Sequence, residues 1–158
     1  MAAAFLIAAG LAAAAWAHEG SSHVQAARPA AARQQALVRI NADYQAAVKP
    51  IFQAKCWDCH SAHTRYPFYY RVPGVRWLIE RDIRQARKHL DMSQDFPFLS
   101  HAGPEKDLDA LRDVVQDDEM PPLLYRLGHW RSGLREGEKK VILQWVERSL
   151  KALGGTKG

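Results

Sequence analysis

Apolar residues recur at three- and four-residue steps along several stretches of this chain, with polar and charged residues between them, which is the signature of amphipathic helices. Leu37, Ile40, Tyr44 and Val48 predict a first helix starting at about Ala36. Pro50 breaks or restarts it, and Ile51 and Phe52 lead on to Cys56. The following SAHTRYPFYYRVPG reads as an aromatic loop punctuated by Pro67, Pro73 and Gly74. In the next helix Val75, Leu78, Ile79, Ile83, Ala86 and Leu90 share one face, while Arg76, Arg81, Arg84, Arg87 and Lys88 lie mostly on the other. Asp91 to Gly103 reads as a loop. Pro104 then suits a first helical position, and Leu108, Leu111, Val114 and Val115 carry the stripe on until Met120-Pro121-Pro122 stops it. A loop with Tyr125, His129 and Trp130 precedes a last helix, about Arg135 to Leu153, striped by Val141, Ile142, Trp145, Val146 and Leu150 and ended by Gly154-Gly155. No run alternates with a two-residue period and no internal repeat is visible, so the reading is an all-α bundle of about four helices.

The ends are different in kind. Met1–Ala17 is uncharged, apolar and closes on Ala15-Trp16-Ala17, which reads as a signal-peptide core with a small-residue cleavage site, or else a retained anchor; the usual Lys or Arg ahead of the apolar run is missing. Residues 18–35, rich in Ala, Gln, Ser and Arg, read as a flexible linker, residues 36–153 as the folded domain and residues 154–158 as a tail. Nothing beyond the first residues is long and apolar enough to span a bilayer.

The 158 residues fit one domain. A formal net charge of +5 favours acidic partners. No stripe of aromatics interleaved with Lys and Arg suggests nucleic acid.

The only cysteines are Cys56 and Cys59. A disulfide between them would close a tiny loop and restrict the unfolded chain little, so the pair is chemical rather than structural. His60 follows directly, completing Cys-x-x-Cys-His, the attachment signal of c-type haem. Three residues are about one helical turn, so both thiols face the vinyl groups of one porphyrin and the adjacent imidazole falls under its iron. A thioredoxin-like pair would expect strands around a helix, and a zinc site would want a second pair of ligands that the chain lacks. The expected cofactor is one covalently attached haem c.

For the sixth ligand the reading favours Met120, whose soft thioether suits iron and raises its potential. Pro121-Pro122 would hold it in a loop, and the chain between it and His60 is long enough to wrap a haem. A lone methionine is otherwise core filler. His129 is the main alternative and would give bis-histidine ligation; His63, His89, His101 and Met92 are weaker candidates, with His89 read as a solvated or capping residue. Phe52, Tyr66, Phe68, Trp77 and Trp145 read as packing, and Tyr66, Tyr69, Tyr125 or Arg65 as possible donors to a propionate.

The segment C-W-D-C-H-S-A-H-T-R-Y-P-F-Y resembles the opening of the bacterial haem-binding domain family, single-haem c-type proteins that typically show Cys-x-x-Cys-His-Ser-x-x-Thr-x-Tyr-Pro-Trp-Tyr. The likeness continues through R-W-L-I-E-R-D-I, R-K-H-L-D-M-S and E-M-P-P-L-L-Y-R-L-G-H-W, and ends in E-K-K-V-I-L-Q-W, spanning roughly Ala36 to Arg148. Phe68 stands where the family often has tryptophan, and Asp91-Met92 where asparagine and an aromatic are common. The resemblance implies an exported, mostly helical, cytochrome c-like domain with Met120 at the family's Met-Pro position.

The expected function is periplasmic single-electron transfer by a His/Met-ligated haem, without enzymatic turnover, to redox partner proteins of acidic character. The basic helix face from Arg76 to Lys88, with Arg65 and Arg71, reads equally as a surface that steers an acidic partner and as a solvated helix face. Membrane association is expected only if the N-terminal segment is retained. The competing expectations are a haem enzyme or gas sensor with a labile sixth ligand, peroxidase-like in chemistry, and a haem subunit of a larger respiratory complex.

Overall fold

A computed structural model describes residues 20–154, so the signal-peptide reading of Met1–Ala17 and most of the C-terminal tail lie outside the described residues. The chain divides into two compact units at Ala32 and Arg33. Residues 20–32 of the first are helical, part of α1 (Gly20–Asp43). The linker expected over residues 18–35 is thus helix from Gly20 onward. Alanine, glutamine and arginine dominate it, and these are strong helix formers that carry no apolar stripe to betray them.

In the second unit, α1 runs through a π-helical turn, Tyr44–Val48, into α2 (Lys49–Lys55). The widened turn has a local cause. Pro50 cannot donate to the carbonyl four residues back and its ring would strike that carbonyl. The ladder accommodates it by shifting one residue, with Lys49 N–H reaching Tyr44 O. α3 (Trp57–His60) is a single turn, and a 3₁₀ turn at Phe68–Arg71 interrupts the aromatic loop. Four further helices follow: α4 (Pro73–His89), α5 (Pro104–Gln116), α6 (Leu123–Gly128) and α7 (Glu136–Ala152). Prolines open α4 and α5 at positions where no N–H is needed. Gly103, at φ 92°, makes the turn into α5 that residues with a Cβ rarely adopt. There is no strand among the described residues; one antiparallel bridge, Asp91 to Leu99, closes the loop between α4 and α5. The all-α expectation holds.

Two elements differ from the periodic reading. α5 stops at Gln116, ahead of the Met-Pro-Pro segment, because Asp118 takes a left-handed conformation (φ 58°) and Glu119 N–H turns back to Val114 O at 3.1 Å. α6, expected as loop, is too short to show a period.

The core is built on Ile40, Tyr44, Val48 and Phe52 from the first helical run, Leu108, Leu111 and Val115 from α5, and Ile142, Trp145 and Val146 from α7. The 91–103 loop contributes more than expected. Phe96 and Phe98 are buried, and their rings meet Trp145 and Tyr44 edge-on at 5.5 and 5.3 Å. Trp145 also donates Nε1–H to Ile40 O at 3.2 Å, tying α7 to α1. Trp145→Ala is therefore expected to destabilise the holoprotein by about 3–5 kcal/mol in denaturant titration; a loss under about 1 kcal/mol would show that this junction does not carry the core. Of the other aromatics expected to pack, Phe52 does so, whereas Tyr66, Phe68 and Trp77 are exposed. Tyr66 and Phe68 lie in the proline-rich loop, where helical periodicity says nothing about facing, and Trp77 lies in α4 outside the stripe of Val75, Leu78, Ile79 and Ile83.

Candidate haem site

α2 ends at Cys56, and α3 makes one helical turn from there, with His60 N–H bonded to Cys56 O at 2.9 Å and Cys59 N–H to the same carbonyl at 3.2 Å. That turn puts both cysteines on the wall of one cavity. Ser61, fully buried, ends the turn in an extended conformation and bonds its hydroxyl back to Trp57 O at 2.9 Å.

His60 is clamped from α4. Its Nδ1 lies 2.9 Å from Leu90 O, a carbonyl that the end of α4 leaves free. Donation from Nδ1–H to that carbonyl leaves Nε2 as the lone-pair nitrogen, the tautomer a metal requires. Met92 N–H closes the clamp on His60 O at 2.6 Å. Burial pushes the imidazole pKa down, which keeps the ring neutral and able to ligate.

These residues line a cavity of about 660 Å³, within the range of cofactor pockets. Phe52, Leu90, Leu134 and Ile142 make apolar walls. α5 presents Asp107, Ala110, Leu111, Val114 and Val115, a stripe at helical spacing. Glu119, Met120 and the two prolines close another side, with Pro121 buried. Cys56, Cys59, His60 and Met120 thus share one cavity although sixty residues of chain separate the last two. Burial, with Cys59 beside it, pushes the Cys56 thiol up to about 12, and burial raises the Cys59 thiol too. A redox-active pair needs an accessible, stabilised thiolate. These are half-buried thiols with raised pKa values on the wall of a mainly apolar cavity, which suits a planar hydrophobic ring.

The remaining candidates separate clearly. His129 is not on the cavity wall. Its Nδ1 lies 3.1 Å from Tyr125 O and its Nε2 2.8 Å from the Tyr69 hydroxyl, so Nδ1–H donates, Tyr69 donates to Nε2, and both nitrogens are engaged. His63 stacks on Trp57 at 5.4 Å, and neither it nor His101 lines the cavity. His89 lines the rim, though exposed, and Met92 lines the wall on the side tied to His60. Of the residues read as propionate donors, Tyr125 reaches the cavity; Tyr66, Tyr69 and Arg65 are not among its lining, and Arg65 instead pairs with Asp58.

Asp107 is a site residue that periodicity should have flagged and did not. It stands four residues before Leu111 on the apolar stripe, is buried, and accepts a 2.7 Å bond from the Ser100 hydroxyl. Burial raises its pKa. The folded chain therefore holds a proton that the unfolded chain releases above about pH 4, and stability contributed by this group falls as pH rises through that interval. Asp107→Asn removes the titration. The variant's melting temperature is expected to gain on the parent as pH rises from about 4 to 7; a gap that does not change with pH would contradict this.

The fold and the cavity together define a class: a helical domain that presents a Cys-x-x-Cys-His turn and a methionine to one apolar, ring-sized pocket. The family model described as haem-binding domain matches residues 20–148, and the chain belongs to that family. It is also 30% identical over 95 residues to the protein named cytochrome c peroxidase Ccp of Escherichia coli (strain K12), a match covering 59% of this chain and 20% of that protein. The chain therefore spans about a fifth of that relative's length. No solved structure matches the chain.

Proposed function

We propose that this domain binds one haem covalently through Cys56 and Cys59, ligates its iron with His60 and Met120, and carries single electrons. One observation supports this reading above the others: these four side chains and, among the described residues, no histidine except His60 and the exposed His89 line the same cavity. When bound, haem supplies a one-electron iron couple. The chain's own residues hold that group and restrict access to it. The Leu90 carbonyl orients His60, the apolar walls exclude water, and Pro121 and Pro122 restrain the backbone beside Met120. Attachment by thioethers implies maturation on the far side of the cytoplasmic membrane, which accords with reading residues 1–17 as an export signal.

A second reading has support of its own. The relative's printed name is that of a peroxidase, and Met120 is 40% exposed, so its thioether is the more displaceable of the two ligands. Optical and magnetic spectra in both oxidation states, with and without carbon monoxide, separate the two. A low-spin His/Met spectrum unaffected by carbon monoxide at neutral pH is expected for the carrier. Rapid carbon monoxide binding would replace it with an enzyme or sensor.

A further inference from the structure

The basic face of α4 is largely neutralised. Arg76 pairs with Glu80 at 2.9 Å, Arg81 with Asp82 at 2.8 Å and Arg87 with Asp91 at 2.8 Å, leaving Arg84 and Lys88. A different surface combines free charge with apolar area. Phe68, Leu127 and Trp130 are 89%, 73% and 79% exposed. The segments that carry them meet: Phe68 packs edge-on against Tyr69 at 5.3 Å, the Tyr69 hydroxyl bonds His129, and His129 stands between Leu127 and Trp130 in the chain. Three guanidinium groups belong to the same segments. Arg71 ends the 3₁₀ turn that carries Phe68, Arg126 lies in α6, and Arg131 sits over the Trp130 ring at 4.5 Å. None of the three makes an ion pair among the described residues. The nearby acidic run Asp117–Glu119 is partly spent, since Asp118 holds Lys139 at 2.8 Å.

This patch is also continuous with the cavity. Tyr125, which lines it, stacks on His129 at 4.2 Å and 17°. Lys55, which lines it too, bonds Arg131 O at 2.6 Å. Exposed tryptophan, phenylalanine and unpaired arginine make the composition of an interface core, and apolar groups ringed by one sign of charge select a partner of the other sign.

We propose that Phe68, Leu127 and Trp130, ringed by Arg71, Arg126 and Arg131, form the docking surface for an acidic redox protein whose contact face carries an apolar centre. The inference rests on the electron-carrier reading and names that carrier's partner. One electron leaves the reduced haem and enters the partner's oxidised centre, with no bond made and no proton passed; the Tyr125–His129 stack is the packed matter between cavity and interface.

The test uses the matured holoprotein and probes that accept no electrons. Paramagnetic, redox-inert hexacyanochromate(III) is titrated into isotope-labelled protein. The Trp130 indole N–H and the amides of Arg71, Arg126 and Arg131 are expected to broaden first. Replacing all three arginines by glutamine is expected to weaken binding about tenfold without altering the haem spectrum. A poly(Glu,Tyr) copolymer is expected to bind more tightly than poly-Glu, and Trp130→Ala to erase the difference. Broadening centred on Arg84 and Lys88, equal binding of the two polymers, or a concentration-dependent dimer that Trp130→Ala dissolves would each overturn the proposal. The last outcome would assign the patch to a second copy of the chain. Because no probe is reduced, these results stand apart from the spectra that test electron transfer.

Discussion

Replacing Cys56 and Cys59 together by alanine is expected to abolish covalent haem and, with it, the folded domain. The helices line an open cavity of about 660 Å³ whose walls include core residues Phe52, Leu90, Leu111, Val115 and Ile142. Without the ring these apolar walls lose their packing partner, and losing the contacts of even one large core side chain costs about 3–5 kcal/mol. Native domains have only about 5–15 kcal/mol in all. The walls must then collapse or separate, and either event disturbs the core that α5, α7 and the first helical run share. Near-ultraviolet circular dichroism of the exported variant should show the loss of fixed aromatic packing around Tyr44, Phe98 and Trp145. A cooperatively folding, haem-free protein would show that the core stands without its cofactor.

Met120→Ala is the second large effect. The variant is expected to keep its haem, since Cys56, Cys59 and His60 are untouched and Met120 sits at the partly exposed side of the cavity. Its reduction potential is expected to fall by on the order of 0.2 V, because a thioether ligand favours the reduced state and axial ligands govern a range of about 0.8 V. Carbon monoxide, excluded from the parent, should then bind the reduced protein within mixing time. An unchanged potential and ferric spectrum would remove Met120 from the iron and turn attention to Met92 and His89, the other candidates on the cavity wall.

Features whose causes are local in sequence were legible in it. The Cys56–His60 turn follows from the backbone hydrogen bonds of five consecutive residues, and the inner faces of α5 and α7 follow from stripes that each helix carries by itself. The loop position of Met120 was readable because two prolines follow it. What escaped depends on partners distant along the chain. The tautomer of His60 is set by Leu90, thirty residues away. His129, the alternative to Met120, has its second nitrogen bonded by Tyr69, sixty residues earlier. Phe96 and Phe98 lie in an aperiodic loop, and only the bridge from Asp91 to Leu99 turns them inward. The charges on α4 seemed free because their pairing depends on which rotamers meet, although the i,i+4 spacing of Arg76–Glu80 and Arg87–Asp91 was on the page to be read. The helix over residues 20–35 was hidden because it carries no apolar stripe and holds Pro29, which in a sequence reads as a breaker.

The covalent link is the point on which the rest depends, and intact-mass spectrometry of protein exported from cells competent in cytochrome maturation tests it most directly. The predicted result is a polypeptide mass increased by one haem, retained after acid–acetone extraction, with a tryptic peptide spanning Cys56–His60 carrying the whole increment. A mass equal to the bare polypeptide, or a haem that the solvent strips away, would contradict it.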